Sequence, residues 1–292
     1  MKLKLIVFIL FIVLTLNNFV HAQSGIKGLV RDEMTLNPVE FATIVIQNRD
    51  VGVYSSVNGN FSIDRYKYND MDSLVISSIG YKTKKIGIRS TELGSISILL
   101  KPLVLDLDEV TVKSKRIRRY KNKKLGVNKN KTNDSFSSRI SSTYEFAVLI
   151  PNDKDYDGFF KSIEIYITQF DHNEDPFRLN LYSLDTICKC PGESLLRSSQ
   201  YIKKAEKGWN SISIEDQLIN LPGNGFFISY ERLSLNSNPK LKAQHHSIGW
   251  IKDDDVKTYR TFTRSGGDLW SENNKFHKKN NVPLVRTNIK VF

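Results

Sequence analysis

The sequence lacks the short motifs that mark the common classes of enzyme. It contains no Gly-x-Ser-x-Gly elbow, no phosphate-binding P-loop, no dinucleotide-binding glycine pattern and no His-x-x-Glu zinc pair. These absences favour a protein that binds over one that catalyses, and we predict no enzymatic activity and no required cofactor. The alternative is a glycan-active enzyme, because paired catalytic carboxylates meet only in the folded chain.

Cysteine is equally scarce. Cys188 and Cys190 lie two residues apart, directly before Pro191 and Gly192. A bridge between such close residues requires a bent backbone. A loop disulfide and two free thiols both fit this spacing, whereas a metal site lacks further ligands.

Long apolar runs are absent after the first 22 residues. Lys2 and Lys4 precede an apolar core that begins at Leu5, and Val20-His21-Ala22 provides small residues for cleavage. This pattern predicts a secretory signal peptide over residues 1–22, since its core is too short for a membrane span. We therefore expect an exported protein that is periplasmic or associated with the outer membrane and has no transmembrane segment.

The stretch from residue 26 to residue 100 alternates apolar and polar residues in several short runs. Ile26, Gly28 and Val30 form one such run, and period-two patterns of this kind are typical of half-buried strands. Asn58-Gly59 lies between two further runs, and its residues tolerate the positive φ of a type I′ turn. The stretch therefore predicts a small all-β module with a tight hairpin at Asn58-Gly59.

Several short segments of this stretch also resemble a known family. They are Ile26 to Val30, Asn37 to Val39, Ala42 to Ile44, Asn58 to Ile63, Leu74 to Tyr81 and Ile98 to Pro102. In these segments the stretch is similar to the carboxypeptidase-regulatory-like domain, a transthyretin-like seven-stranded β-sandwich of Gram-negative envelope proteins. The resemblance implies an accessory, non-catalytic fold over residues 24–102.

Acidic residues are missing from one segment that is otherwise highly charged. Removal of Lys2 and Lys4 with the signal peptide leaves 41 basic and 31 acidic residues, and ten of the basic ones lie between Lys113 and Lys131. We predict a basic linker over residues 103–142. It is either a solvated, self-repelling connector or a patch for an anionic envelope surface, with Lys115, Arg116, Arg118 and Arg119 as candidate ligand-binding residues.

Two other partners are disfavoured for this segment. Export argues against nucleic acid, as does the lack of interleaved aromatic residues, of which Tyr120 is the single example. The preceding Leu107 to Val112 resembles a segment found before the plug of TonB-dependent receptors. A TonB contact is not expected, because no plug or barrel sequence follows.

Alternation resumes at residue 144 and continues to residue 292. About eight strands over this length, without a helical period, predict a jelly-roll-like β-sandwich over residues 143–292. The overall fold class is therefore all-β, with two sandwiches. A binding or adhesive role for a glycan would use exposed aromatic platforms, and Trp270 and Tyr259 are the candidates that we retain.

One acidic motif indicates a metal. Asp153, Asp155 and Asp157 precede Gly158, and Glu164 follows six residues after that glycine, as in the calcium loop D-x-D-x-D-G-x5-E. Strands rather than helices flank the motif, and an acidic connecting loop is the competing interpretation. A calcium ion bound here is expected to be structural.

Overall fold

The computed structural model describes the chain in segments. These are residues 25–49, 51–64, 67–91, 95–103, 120–129, 132, 134–136, 144–169, 176–233, 247–252, 259–265, 269–272 and 281–292. The predicted signal peptide, residues 1–22, lies outside them. Within these segments, no helix combines the length and the apolar character needed to cross a membrane.

The N-terminal domain is a sandwich of two small sheets. One sheet has the strand order β4-β1-β7, with β1 and β7 parallel, and the other has the order β3-β2-β5-β6. The seven described strands confirm the predicted seven-stranded sandwich. They are β1 (Ile26–Asp32), β2 (Thr43–Ile46), β3 (Gly52–Tyr54), β4 (Asn60–Ile63), β5 (Ser73–Ser77), β6 (Lys84–Gly87) and β7 (Ser95–Leu100).

Period-two alternation explains the core of this domain. Val30 and Ile98 come from the smaller sheet, Ile44 and Ile76 come from the larger one, and none of the four is exposed to solvent. Successive side chains of a strand point to opposite faces, so one row of each sheet is buried between the two sheets. The burial of β1, which alternates from Ile26 to Asp32, follows this rule.

The predicted type I′ hairpin at Asn58-Gly59 is wrong in its turn type and in the pairing of its strands. Gly59 has the expected positive φ of 76°, but its N–H donates to Ser56 O, which centres the turn on Val57 and Asn58. The strands on either side enter different sheets, because Gly59 O accepts from Val30 N and draws β4 alongside β1. The turn is thus a type I turn followed by a left-handed glycine.

The C-terminal domain is a larger sandwich of two sheets. The β10 sheet has the order β13-β12-β16-β10-β18-β19, with β14 also paired to β12. The β11 sheet has the order β20-β17-β11-β21-β8, with β15 paired to β11 and β9 paired to β17. Its longer strands are β10 (Tyr144–Ile150), β11 (Gly158–Gln169), β12 (Phe177–Leu184), β15 (Gly208–Ser213), β16 (Phe226–Arg232), β17 (Ser247–Lys252), β18 (Thr261–Ser265) and β21 (Val285–Val291).

These eight longer strands are the ones that the alternation predicts. Consecutive members of the set lie in opposite sheets, so the two sheets enclose one core. Phe160 of β11 meets Phe226 of β16 across that core, with ring centroids 4.8 Å apart. The structure therefore confirms an all-β chain with two sandwiches.

The boundary of the second domain differs from the predicted one. Two of the shorter strands, β8 (Lys121–Gly126) and β9 (Asp134–Phe136), fall within residues 103–142 but pair with β21 and β17. The C-terminal sandwich thus begins by residue 121. The other short strands are β13 (Pro191–Ser194), β14 (Tyr201–Ile202), β19 (Ser271–Glu272) and β20 (Asn281–Pro283).

Candidate functional site

A row of four charged side chains crosses the β10 sheet on the face opposite the main core. Arg178, Glu231, Glu145 and Arg264 are cross-strand neighbours, in that order, on β12, β16, β10 and β18. They occupy the strand positions that alternate with core residues, which places them on the outer face. Arg178, Glu145 and Glu231 are buried even so. We call these four residues the charge row.

Hydrogen bonds tie the charge row into one unit. Arg178 Nη1 lies 3.0 Å from Glu231 Oε2, and Arg264 Nε lies 2.7 Å from Glu145 Oε2. The Asn180 amide donates to both carboxylates, at 2.7 Å to Glu145 and 3.3 Å to Glu231. Two positive charges balance two negative ones, as buried ion pairs require. Protein donors therefore occupy both members of this facing carboxylate pair.

The N-terminal domain lies against this row. The Tyr54 hydroxyl donates to Glu231 Oε1 over 3.0 Å, and Arg178 donates to the carbonyl oxygen of Phe41. The Phe41 ring meets that of Tyr201 edge-on, with centroids 4.7 Å apart. Burial, and then the charge of Glu231, raises the pKa of Tyr54 well above its ordinary value, so this hydroxyl stays a donor. The charge row thus links the two domains.

A glycine permits close approach at a second point of this interface. Gly80 has a φ of 85°, and a Cβ there would lie 2.6 Å from the carbonyl oxygen of Arg197 in the C-terminal domain. Ile79, next to it, packs against the C-terminal core. A side chain at position 80 would therefore both strain the backbone and push the domains apart.

The Tyr201–Glu40 hydrogen bond makes this interface sensitive to high pH. Burial, with Glu40 as acceptor, raises the pKa of Tyr201 to about 12, whereas an unfolded tyrosine titrates near 10. The bond therefore stabilises fully below the unfolded pKa and is lost as the pH rises through the folded pKa. We expect Tyr201→Phe to lower the free energy of unfolding by about 1 kcal/mol at neutral pH.

Paired urea titrations of the wild type and Tyr201→Phe between neutral pH and about pH 12 test this expectation. The stability difference should shrink across the alkaline half of the range. A difference that stays constant up to the highest pH would contradict it.

The two candidate aromatic platforms occupy different surroundings. Trp270 is partly buried on the outer face of the β10 sheet, where its ring meets Tyr182 at 5.6 Å and the Arg264 guanidinium lies 4.3 Å from its centroid. Tyr259 packs against the main core instead. The described contacts place these residues in separate clusters, and Arg264 already covers one ring face of Trp270. Glycan binding by Trp270 or Tyr259 stays a prediction.

The acidic motif is divided between a loop and a strand. Asp153, Asp155 and Asp157 are exposed in the loop before β11. Glu164 is buried within β11, where it is bonded to Arg286 and Asn288. Within the described segments, no group of three or more His, Cys, Asp or Glu side chains is arranged to hold a metal. Calcium binding stays a prediction, and Glu164 already has a cationic partner.

Arg286 is held from three directions. Besides Glu164, it donates to Asn128 Oδ1 over 2.9 Å, and its guanidinium lies 3.6 Å from the centroid of the Trp209 ring. A planar guanidinium satisfies a carboxylate through its edge and an aromatic ring through its face. This buried arginine therefore fastens β21 to β11.

The basic segment continues onto the edge of the β11 sheet. Lys121, Lys123 and Lys124 are exposed on β8, which pairs with β21 and ends the described strand order. The candidates Lys115, Arg116, Arg118 and Arg119 lie outside the described residues, as does the TonB-like segment 107–112. Among the described residues, the lysines of β8 and the exposed Lys129 that follows the strand are thus the part of the basic run whose presentation the structure shows.

The two cysteines form a disulfide. Cys188 and Cys190 are bonded, with Cα atoms 5.2 Å apart. Lys189 between them has a φ of 56°, which supplies the backbone bend that such a short ring needs. Of the two arrangements left open by the sequence, the structure contains the bridge.

Comparison with known families identifies the N-terminal domain. Residues 26–112 match the family described as the CarboxypepD_reg-like domain. The N-terminal sandwich is a carboxypeptidase-regulatory-like domain. This match confirms the resemblance seen in the sequence. No curated protein matches the chain.

Two solved structures of a surface-layer-associated cysteine protease show distant similarity. For the cysteine protease and lectin-like domains of the Clostridium difficile protein, the TM-score is 0.37 at 9% identity, over 52% of this chain and 33% of that one. For the clostridial enzyme after propeptide cleavage, the TM-score is 0.42 at 10% identity, over 87% of this chain and 66% of that one. This chain thus spans less than two thirds of either structure, and at such scores neither likeness informs function.

The charge row is the feature that sequence reasoning missed. Its members are charged residues at outward positions of largely apolar strands, such as Glu145 in Tyr144–Ile150 and Glu231 in Phe226–Arg232. An isolated charge at an outward position looks like ordinary surface polarity along one strand. The available signal was that four neighbouring strands each carry one charged residue at an outward position, and that the charges of these four residues sum to zero.

Proposed function

We propose that this protein is an exported, non-catalytic binding module of the cell envelope that attaches to an anionic surface through strand β8. The carboxypeptidase-regulatory-like domain supports a non-catalytic role, because the family suggests an accessory β-sandwich. The occupied carboxylates of Glu145 and Glu231 support it further, since protein donors already bind both. Export to the periplasm or the outer membrane is part of the proposal and is supported by the N-terminal sequence.

The exposure of the β8 lysines is the observation that carries the proposal. Lys121, Lys123 and Lys124 lie within four residues on one sheet edge, so their positive charges reinforce each other. Near an anionic membrane surface, each such charge contributes about 1 kcal/mol at low salt. Three of them can therefore account for an affinity gain of about 100-fold.

Edge protection is the competing explanation for these lysines. Charged side chains on a terminal strand discourage pairing with another chain, and β8 ends the strand order of its sheet. The N-terminal domain has a comparable strand, β6, which also ends its sheet and exposes Lys84 and Lys85. Strand β6 provides a matched control, because edge protection predicts the same behaviour for both strands.

Neutralising the β8 lysines is expected to weaken binding to anionic vesicles. Lys121→Gln, Lys123→Gln and Lys124→Gln together should lower the affinity by about 100-fold at low salt. The control exchanges Lys84 and Lys85 of β6, and the exposed Lys82 just before this strand, for Gln and should retain wild-type affinity. Co-sedimentation with vesicles that contain phosphatidylglycerol, at low and high salt, measures both. Equal losses in the two variants, or no loss in either, would refute an attachment site on β8.

A further inference from the structure

Three aromatic rings meet at the corner of the β11 sheet where β8 begins and β21 ends. The ring centroids of Tyr120 and Phe292 are 5.4 Å apart, those of Phe159 and Phe292 are 5.2 Å apart, and those of Tyr120 and Phe159 are 6.0 Å apart. Each ring therefore touches the other two. We call these residues the aromatic triad.

The triad is exposed at the protein surface, whereas large aromatic side chains are usually buried in a core. The exposed fraction is 52% for Tyr120 and 45% for Phe292, and Phe159 is partly exposed. Large apolar side chains that gather at the surface usually mark a binding site, whereas scattered single ones do not. Contact among the rings fixes their positions, so little side-chain entropy is lost when a partner covers them.

Strand pairing makes the triad continuous with the β8 lysines. Tyr120 directly precedes Lys121, Lys121 pairs with Val291, and Phe292 follows Val291. The exposed lysines then extend along β8 from this corner. One edge of the sandwich thus presents an apolar tip followed by three lysines. Lys124 lies on the same face of the strand as Tyr120, and Lys121 and Lys123 alternate to the other face.

This combination distinguishes a lipid bilayer from an acidic polysaccharide. Lysines alone suit both, because both are polyanions. Tyrosine favours the boundary between headgroups and acyl chains, where its ring leaves water and its hydroxyl keeps polar contacts, and phenylalanine is among the apolar side chains that interfacial segments bury there. Adjacent cations add attraction to anionic headgroups.

Acidic groups next to the triad oppose this attraction. Phe292 N–H donates to the carbonyl oxygen of Asp157, so the loop that carries Asp153, Asp155 and Asp157 reaches the same corner. Apolar insertion is the term that offsets this local repulsion, because it does not depend on charge. The net attraction should therefore depend on the triad as well as on the lysines.

We propose that the aromatic triad inserts into the interface of an anionic lipid bilayer while the β8 lysines contact its headgroups. The inference rests on the proposed function, since it names the surface to which the β8 edge attaches. It adds that the surface is a bilayer and that the attachment has an apolar component, which persists in part at high salt.

Replacing the two most exposed rings tests the insertion. Tyr120→Ser with Phe292→Ser should lower vesicle binding by about tenfold or more, because the variant loses two rings that become partly buried in the bilayer. Binding to a soluble acidic polysaccharide should be unchanged. The control is Met34→Ser with Met71→Ser, which removes two apolar side chains of the N-terminal domain. Their exposed fractions, 78% and 86%, are higher than those of the two rings. This control should change neither measurement.

A reporter at position 292 provides a second readout that does not depend on affinity. The emission of a Phe292→Trp variant should shift to the blue on addition of anionic vesicles and should be quenched by lipids with brominated chains. Lysine-dependent binding without quenching, or a triad variant that still binds vesicles fully, would refute insertion and leave the proposed function intact. Absence of vesicle binding by the wild-type protein would refute both.

Discussion

Exchanging Arg178 for Ala is expected to lower the free energy of unfolding by about 3–5 kcal/mol. The variant leaves the buried Glu231 carboxylate without its arginine, and only 3% of the Arg178 side chain and 8% of the Glu231 side chain are exposed. It also removes a donor to Phe41 O, which belongs to the other domain. Urea titration followed by far-ultraviolet circular dichroism measures the loss.

Arg260 offers a matched control for this experiment. It forms a two-bond pair with Glu272, at 2.8 and 3.0 Å, but the two side chains are 30% and 34% exposed. Exposed pairs of this kind contribute about 1 kcal/mol or less, so Arg260→Ala should have a small effect. Similar losses in the two variants would show that burial of the charge row does not govern its contribution.

An apolar replacement separates loss of the pair from loss of packing. Arg178→Met, Glu231→Leu and Tyr54→Phe together remove both charges and the hydroxyl that donates to Glu231. Because no buried charge is left alone, most of the stability lost in Arg178→Ala should return. A triple variant as unstable as the single one would contradict this account.

Exchanging Glu164 for Leu is expected to destabilise the protein by about 3 kcal/mol or more in the presence of EDTA. The variant leaves Arg286 buried against Trp209 without its carboxylate, and the Arg286 side chain is 9% exposed. Asp157→Ala changes an exposed loop residue and should stay within about 0.5 kcal/mol under the same conditions. Thermal melts of both variants with EDTA and with calcium make the comparison.

The same melts separate two roles for Glu164. If its role is the ion pair to Arg286, the loss appears with EDTA and calcium does not change it. If Glu164 instead closes a calcium loop, the variant should match the wild type in EDTA and lack a calcium-induced rise in melting temperature. Asp155→Ala reports on the loop itself, because Asp155 lies within the motif but outside the strand.

Period-two alternation was enough to predict the sandwiches but not their edges. Strands with apolar residues on one face, such as the one containing Ile163 and Ile165, can be recognised from the sequence, because their buried positions hold apolar residues. Strand β8 has the sequence Lys-Asn-Lys-Lys-Leu-Gly and resembles a linker, since a terminal strand with exposed lysines has little apolar pattern. Its pairing with β21 joins residues that are far apart in the sequence, so no short stretch of sequence reveals it.

The candidate site was less predictable for a related reason. The charge row depends on the register of four strands, which brings Arg178 beside Glu231 and Glu145 beside Arg264. One local motif was misleading. Glu164 has the spacing of a calcium-loop ligand, but it lies in a strand, where it pairs with Arg286. Sequence spacing describes loops well and cross-strand neighbours poorly.

The place of β21 in its sheet bears on how the second sandwich folds. The last strand of the sequence lies between β11 and β8, so it joins two strands made much earlier. Such pairings close large loops and are slow to form. A growing chain therefore cannot complete this sheet until residues 285–291 have been synthesised, and until then β8 and β11 have unoccupied edges that a chaperone could protect.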